Sequence, residues 1–263
     1  TPTPGRRGAG RPPKWVGYSA LMPFDPVKRS AAAEKASMRG PARRYYRFRA
    51  ARYYGGIVTA DAVGCSFLCA FCWNYQRNLH PERYGRFSDP RQVALTLSRI
   101  ARRSGFQLYR ITGSEPVLGR ASLEHAAGVV EQVRACDPQA QFVLETNGLM
   151  LGYRPELVDR VPTVGVMVRV ALKGCDEQSF EHVTGADRRF FDYPLRAVKL
   201  LQDRGIRAWA AIMEDLFEDQ DMARLENRLR SLGVAGSLER EHLERYPSVV
   251  ENLRARGVRT RES

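Results

Sequence analysis

Cys65, Cys69 and Cys72 stand in the run GCSFLCAFCWN, with three and then two residues between them. Three thiolates on one short segment can converge on a metal centre, and their softness suits zinc or an iron–sulfur cluster alike. A structural zinc needs a closed fourth position. The nearest candidate, His80, has seven residues between it and Cys72, a spacing that matches no familiar zinc pattern. A redox pair of Cys69 and Cys72 would leave Cys65 without a role. Two further cysteines, Cys136 and Cys175, make five in all. An odd number with three crowded together is not the layout of a secreted disulfide framework, so reduced thiols and a cytoplasmic location are expected. Cys136 precedes Asp137-Pro138 at a helix end and suits a packing or incidental role, whereas Cys175 is a candidate for catalysis or substrate contact.

The elements that must position these residues are legible from residue 57 onward. Apolar runs of strand length, at 57–64, 106–112, 141–146, 164–172, 206–213 and more weakly 234–239, alternate with stretches of helical period. The helical faces are Val93, Leu97, Ile100 and Ala101; Leu123, Ala127, Val130 and Val133; and Met222, Leu225, Leu229 and Leu232. That alternation predicts an α/β fold with a parallel sheet, either a barrel or doubly wound. Right-handed crossovers then put every strand's C-terminal end on one side, where chemistry on such folds sits. The unusual residues all follow strands: the cysteines after the first, Gly113-Ser114-Glu115-Pro116 after the second, Glu145-Thr146-Asn147-Gly148 on the third and Lys173 after the fourth. Glu214, Asp215 and Glu239 follow the fifth and sixth and are the acidic groups placed to meet a ligand.

The 263 residues, 43% of them apolar, can bury a sizeable core, which excludes disorder of the whole chain. No apolar run approaches the roughly 18 residues of a membrane span, since Arg169 interrupts the longest one. The net charge of +13 is concentrated: residues 1–60 carry +11 of it. Arginine supplies most of the basic residues, 37 against 5 lysines, a skew that gene composition produces as readily as a binding role does. Residues 1–14 read as a mobile arm rich in Pro, Gly and Arg. Asp25 and Pro26 start a helix that Gly40-Pro41 ends. The run RRYYRFRAARYY at 43–54 could stack on bases and grip phosphates, or pack its rings on the domain and leave its arginines in water. Three regions are therefore expected: a basic N-terminal extension at 1–56, partly disordered, a core at 57–240 and a helical tail at 241–263.

The cysteine run resembles the loop of the radical S-adenosylmethionine enzymes, whose pattern is Cys-x3-Cys-x-aromatic-Cys, with Phe71 in the aromatic place. The resemblance implies a partial (β/α)6 TIM-type barrel in which Cys65, Cys69 and Cys72 hold three irons of a [4Fe-4S] cluster. The fourth iron is then left for the amino and carboxylate groups of S-adenosyl-L-methionine, the free site that reduction of a sulfonium requires. Gly113-Ser114-Glu115-Pro116 looks like the family's Gly-Gly-Glu-Pro, with Ser in place of the second Gly, whose backbone meets the cofactor's amino group. The run ending Glu145-Thr146-Asn147-Gly148 is similar to the family's third strand, where a carboxylate holds the ribose. Cofactor contacts are therefore expected from Phe71, Gly113, Ser114, Glu115, Pro116, Glu145, Asn147 and Lys173. Within the family the nearest look is to the activases that install a glycyl radical in a partner enzyme. Asn74 matches their Cys-His-Asn stretch, but Trp73 replaces its His, and Ala171-Leu172-Lys173 lacks the acid of their Asp-Leu-Lys.

The resemblance implies an enzyme that cleaves S-adenosylmethionine to a 5′-deoxyadenosyl radical for hydrogen abstraction. It takes an electron from a donor such as flavodoxin or ferredoxin. A protein partner is the first expectation for the substrate and RNA the second. A zinc-stabilised nucleic-acid-binding module without catalysis is a further alternative.

Overall fold

The computed structural model describes residues 23–261; the arm expected at 1–14 lies outside them. Helix α1 (Pro26–Ser37) is followed by strands β1 (Met38–Arg39), β2 (Ala42–Ala51) and β3 (Ile57–Ala62). Helix α2 (Tyr75–Leu79), β4 (Arg86–Ser88), α3 (Pro90–Ser104), β5 (Leu108–Thr112), α4 (Arg120–Cys136), β6 (Gln141–Thr146) and α5 (Leu149–Tyr153) come next. The chain continues through β7 (Val166–Leu172), α6 (Glu177–Thr184), α7 (Asp192–Asp203), β8 (Ala208–Met213), α8 (Asp219–Ser231), β9 (Glu239–Glu241) and α9 (Pro247–Arg256).

Six strands, β3, β5, β6, β7, β8 and β9, pair in parallel and in sequence order. An order that never reverses has no switch point, so the sheet is the partial barrel and not the doubly wound alternative. It remains open, because the antiparallel β2, with β1 and β4 attached to it, covers the β3 edge. The segment 42–51 is thus a strand of the same sheet, where charge and composition had suggested an extension outside it.

The sixth strand lies five residues later than its expected start. Val234 is buried beside α8 and carried the apolar signal, whereas the strand itself is Glu239–Glu241, whose carboxylates pair with Arg169. Leu232, expected in the α8 stripe, is the C-cap of that helix and is exposed, while Met222, Leu225 and Leu229 are buried.

Local signals account for the helix ends. Asp25 caps α1 by accepting from the Val27 and Lys28 amides at 2.9 and 3.0 Å, with Pro26 at its first position. Asp89 and Gln92 form a capping box on α3, and Gly105 ends it in the left-handed region at φ 72°.

Alternation along the strands then separates two surfaces. Val58, Ala60, Tyr109, Ile111, Phe142, Leu144, Val168, Val170, Ala210 and Ile212 join the core beneath the helices. The intervening positions carry the polar side chains of the inner face: Thr59 and Asp61 on β3, Arg110 and Thr112 on β5, Glu145 on β6 and Arg169 on β7, beside the apolar Val143, Ala171 and Ala211. Among the described residues no helix is long and apolar enough to cross a membrane.

Candidate active site

The loop after β3 carries Cys65, Cys69 and Cys72; all three thiols are free, Cys69 buried and the other two partly so. Amide donors point at the sulfurs. The Phe67 amide reaches Cys65 Sγ at 3.5 Å, Asn147 Nδ2 lies 3.9 Å from the same sulfur, and Asn78 Nδ2 lies 3.6 Å from Cys72 Sγ. Phe71 is half-buried, with Lys173 Nζ 5.2 Å from its ring centroid. Burial pushes the Cys65 thiol up to about 12 and those of Cys69 and Cys72 to about 11, with the neighbouring thiols adding to the shift. Lys173 acts in the other direction on Cys69 and Cys72. Such thiols stay protonated until a cation displaces the proton, the usual coupling of metal binding to proton release.

Among the described residues no three His, Cys, Asp or Glu side chains are set around a single ion position. The fit to a cluster therefore rests on the chemistry of the donors: three soft ligands on one loop, N–H groups aimed at two of the sulfurs, and a lysine beside them. These features fit a thiolate-bound cluster, and Cys65, Cys69 and Cys72 are the residues that would hold it.

The segment 113–116 lies against this loop. Gly113, at φ 80°, gives its carbonyl to Asn74 Nδ2 and, at 3.3 Å, to Asn78 Nδ2. A Cβ there would come within 3.2 Å of the Tyr46 hydroxyl and 3.3 Å of the Ala62 carbonyl, so glycine serves both the turn and the close approach. The Glu115 amide donates to the Gly64 carbonyl at 3.1 Å. Arg43, fully buried on β2, donates from Nη1 to the Pro116 carbonyl and from Nη2 to the Glu115 carbonyl at 2.6 Å each, and Nη2 is also 3.5 Å from Ser114 Oγ.

Glu115 itself turns inward. Its carboxylate accepts from the Val117 amide at 2.8 Å, Thr146 Oγ1 at 2.6 Å and the Asn147 amide at 2.7 Å. Burial raises its pKa to about 7 against the pull of those three donors and of Arg43. It is the tie between the loop after β5 and the end of β6. Asn147 completes the connection, donating to Ser66 Oγ at 2.8 Å while its Oδ1 accepts from the Leu149 amide.

Glu145 is engaged as well. Oε1 accepts from Arg110 Nη1 at 2.8 Å and the Tyr54 hydroxyl at 3.1 Å, and Oε2 from Thr112 Oγ1 at 3.0 Å. Tyr54, at φ 55°, is the sole non-glycine residue with positive φ among those described, and Tyr53 lies under Arg110 with 4.9 Å from guanidinium to ring centroid. The turn between β2 and β3 thus reaches across the inner face of the half-barrel. The next ion pairs on that face join Arg169 to Glu239 and Glu241 at 3.1 and 2.7 Å.

Other expectations fall elsewhere. Cys175 is buried in the core with its sulfur 3.9 Å from Met222 Sδ, and burial pushes its thiol up to about 12, so it is not among the residues assembled here. Asp215 accepts from the Leu243 amide and Glu214 lies 3.2 Å from His242, so both serve the packing of the C-terminal segment. A concavity lined by Asp176, His182 and Arg188 among others borders α6, and its lining includes no residue of the cysteine loop. Asn78 was not singled out in the sequence, and Arg43 and Tyr46 were singled out only as members of the run at 43–54, with no place at the rim. They come from β2 and α2, and only β-pairing and loop closure bring them to the rim.

The sequence profile of the radical SAM superfamily matches residues 61–230. A probable GTP 3′,8-cyclase of Saccharolobus solfataricus is 25% identical over 143 residues, which are 54% of this chain and 42% of that protein. The GTP 3′,8-cyclase of Haemophilus ducreyi is 26% identical over 141 residues, 52% of this chain and 38% of that one. The chain thus spans under half the length of these relatives. In fold it is similar to SuiB of Streptococcus suis bound to S-adenosylmethionine, with TM-score 0.53 and 14% identity over 83% of this chain and 45% of that one. It is also similar to a spore photoproduct lyase complexed with dinucleoside spore photoproduct, with TM-score 0.56 and 15% identity over 76% and 60% of the two chains. With the three-cysteine loop at the C-terminal end of the first parallel strand of a six-stranded open barrel, and a family match over more than half its length, the chain belongs to the radical SAM superfamily, enzymes that use a [4Fe-4S] cluster and S-adenosylmethionine.

Proposed function

We propose that this chain generates a 5′-deoxyadenosyl radical at the C-terminal rim of its half-barrel and uses it to take a hydrogen atom from a substrate lodged on the inner face. The observation that carries this reading is the convergence of the cysteine loop, the Gly113 turn and Asn147, all cross-bonded, at one end of the parallel strands. When bound, the cluster supplies one electron to the sulfonium of S-adenosylmethionine, so that the bond from sulfur to C5′ breaks into methionine and the radical.

The protein's own residues position and shield. Arg43 and Glu115 hold the 113–116 backbone in place for the cofactor's amino group, and Phe71 covers the loop beside Lys173. Contact of Glu145 with the ribose would require it to exchange one of its three present partners for the hydroxyls. A small redox protein such as flavodoxin or ferredoxin is proposed as electron donor, in a cytoplasmic setting that keeps the thiols reduced.

For the substrate, the relatives' names point two ways: GTP cyclases and a dinucleoside-bound lyase on one side, and SuiB bound to its precursor peptide on the other. A protein partner, as for the activases, suits the open side of the sheet, but Ala171 stands where the activases carry an acid. The charged and aromatic rim favours a nucleotide unit, free or within RNA. Equal amounts of methionine and 5′-deoxyadenosine, formed only after dithionite reduction of the anaerobically reconstituted protein, are expected. Cleavage of a different bond, read as methylthioadenosine instead, would refute this function.

A further inference from the structure

β2 carries a bulge. Tyr45 pairs with Ala62 and Arg47 with Asp61, which leaves Tyr46 as the extra residue between them. A bulge re-aims the side chain it inserts, and Tyr46 is turned to the rim, its hydroxyl beside Gly113. That hydroxyl is buried and makes no hydrogen bond of good geometry among the described residues; the Arg47 guanidinium is the polar group that interacts with it. The Arg77 guanidinium lies 4.6 Å from its ring centroid and the Arg47 guanidinium 5.7 Å. Arg47 in turn lies 5.7 Å from the ring of Trp73, the residue after Cys72, which is 39% exposed. Tyr84 extends the series on the far side of Arg77, at 5.6 Å.

Charge on this rim is unbalanced. Arg47 and Arg49 share one buried carboxylate, Asp61, at 2.5 and 2.9 Å. Among the described residues no carboxylate pairs with Arg77, whose polar partner is Asn74 Oδ1 at 3.2 Å. A contiguous band therefore runs from the cysteine loop through Trp73, Arg47, Tyr46 and Arg77 to Tyr84. It offers an exposed ring face for stacking, excess guanidinium charge for an anion and one unsatisfied hydroxyl between them.

We propose that this band binds the substrate and that the substrate is a nucleotide unit, its base stacked on Trp73, its phosphate held by Arg77 and Arg47, and one of its acceptors taking the Tyr46 hydroxyl. Stacking and phosphate contact by interleaved aromatic and arginine side chains is the general chemistry of such recognition. The proposal rests on the radical-generating function above, since it places the substrate beside that centre.

The test is equilibrium binding of ATP, GTP and a ten-nucleotide single-stranded RNA to the reconstituted protein, without reductant, across a salt series. Wild type is compared with Tyr46→Phe, Trp73→Phe, Trp73→Ala and Arg77→Ala. Iron content and circular dichroism confirm that each variant is folded and loaded. Tyr46→Phe should weaken binding about five- to tenfold, the loss of one buried hydrogen bond. Trp73→Ala should weaken it tenfold or more while Trp73→Phe largely restores it, and Arg77→Ala should lower the salt dependence. Binding of the mononucleotides identifies a free nucleotide as the source, and binding of the oligonucleotide alone identifies RNA. No binding of any probe, or binding that none of the four variants alters, overturns the proposal. Cofactor cleavage by the same wild-type preparation is measured separately, so loss of this proposal and loss of the radical function give different results.

Discussion

Each cysteine of the loop has its own surroundings, and each is expected to be indispensable. Replacing Cys65, Cys69 or Cys72 singly by Ala should reduce iron and sulfide in the reconstituted protein to a small fraction of the wild-type content, measured by chemical analysis, because two thiolates cannot retain a cluster built on three. Glu115 makes a different prediction. Its carboxylate satisfies two buried backbone amides and the Thr146 hydroxyl, and Glu115→Gln replaces one acceptor oxygen by a donor. The change should cost about 2 kcal/mol in denaturant unfolding, with weaker cofactor binding following from a loosened 113–116 turn. If Glu115 instead faced the cofactor, as its place in the motif suggested, affinity would fall with stability unchanged. Composition shows that a glutamate is present but not which way it turns; that depends on Thr146 and Asn147 arriving from the next strand.

At the scale of elements, β2 and α4 are fastened by a buried pair. His125 Nδ1 lies 2.7 Å from the Pro41 carbonyl and its Nε2 lies 2.8 Å from the Tyr45 hydroxyl, so the neutral ring donates to the first and accepts from the second. Burial lowers its pKa from 6.5 to about 4. The unfolded chain therefore binds more protons between those values, and the stabilisation is whole above pH 6.5 and lost as pH falls toward 4. That loss amounts to about 3 kcal/mol. Denaturant unfolding of wild type and His125→Gln should show curves that converge as the pH falls through this window; parallel curves would contradict the assignment. Arg43 on the same strand holds two carbonyls of the cofactor loop. Arg43→Met should cost about 3 kcal/mol, since both carbonyls lose their donor in a dry site, and the same unfolding measurement checks it. The strands of the parallel sheet were legible because their faces alternate or run apolar. β2 was not, since its arginines serve Asp61 and the loop carbonyls instead of water, and nothing in a local window shows a buried guanidinium. The polar β9 was obscured in the same way, its carboxylates answering Arg169 two strands away.

The molecule as a whole is a half-barrel with apolar packing outside its sheet and charged networks inside. The cysteine spacing, the Gly113 turn and the alternation of strands with helices were readable along the chain, and so was the enzyme class they imply, whereas the order that separates a barrel from a doubly wound sheet came with the structure. The basic N-terminal segment changed its meaning once folded: part of it is sheet, and its bulged tyrosine borders the site. The inner face pairs Arg110 with Glu145 and Arg169 with Glu239, so charge lines the region where the proposed substrate would lodge. The most direct measurement is anaerobic reconstitution with iron and sulfide, reduction by dithionite and quantification of 5′-deoxyadenosine, for wild type beside a variant with Cys65, Cys69 and Cys72 all replaced by alanine. Wild type should hold a cluster and form the product, and the triple variant should do neither. A wild-type protein that holds no iron, or a triple variant that forms as much product, would contradict the assignment.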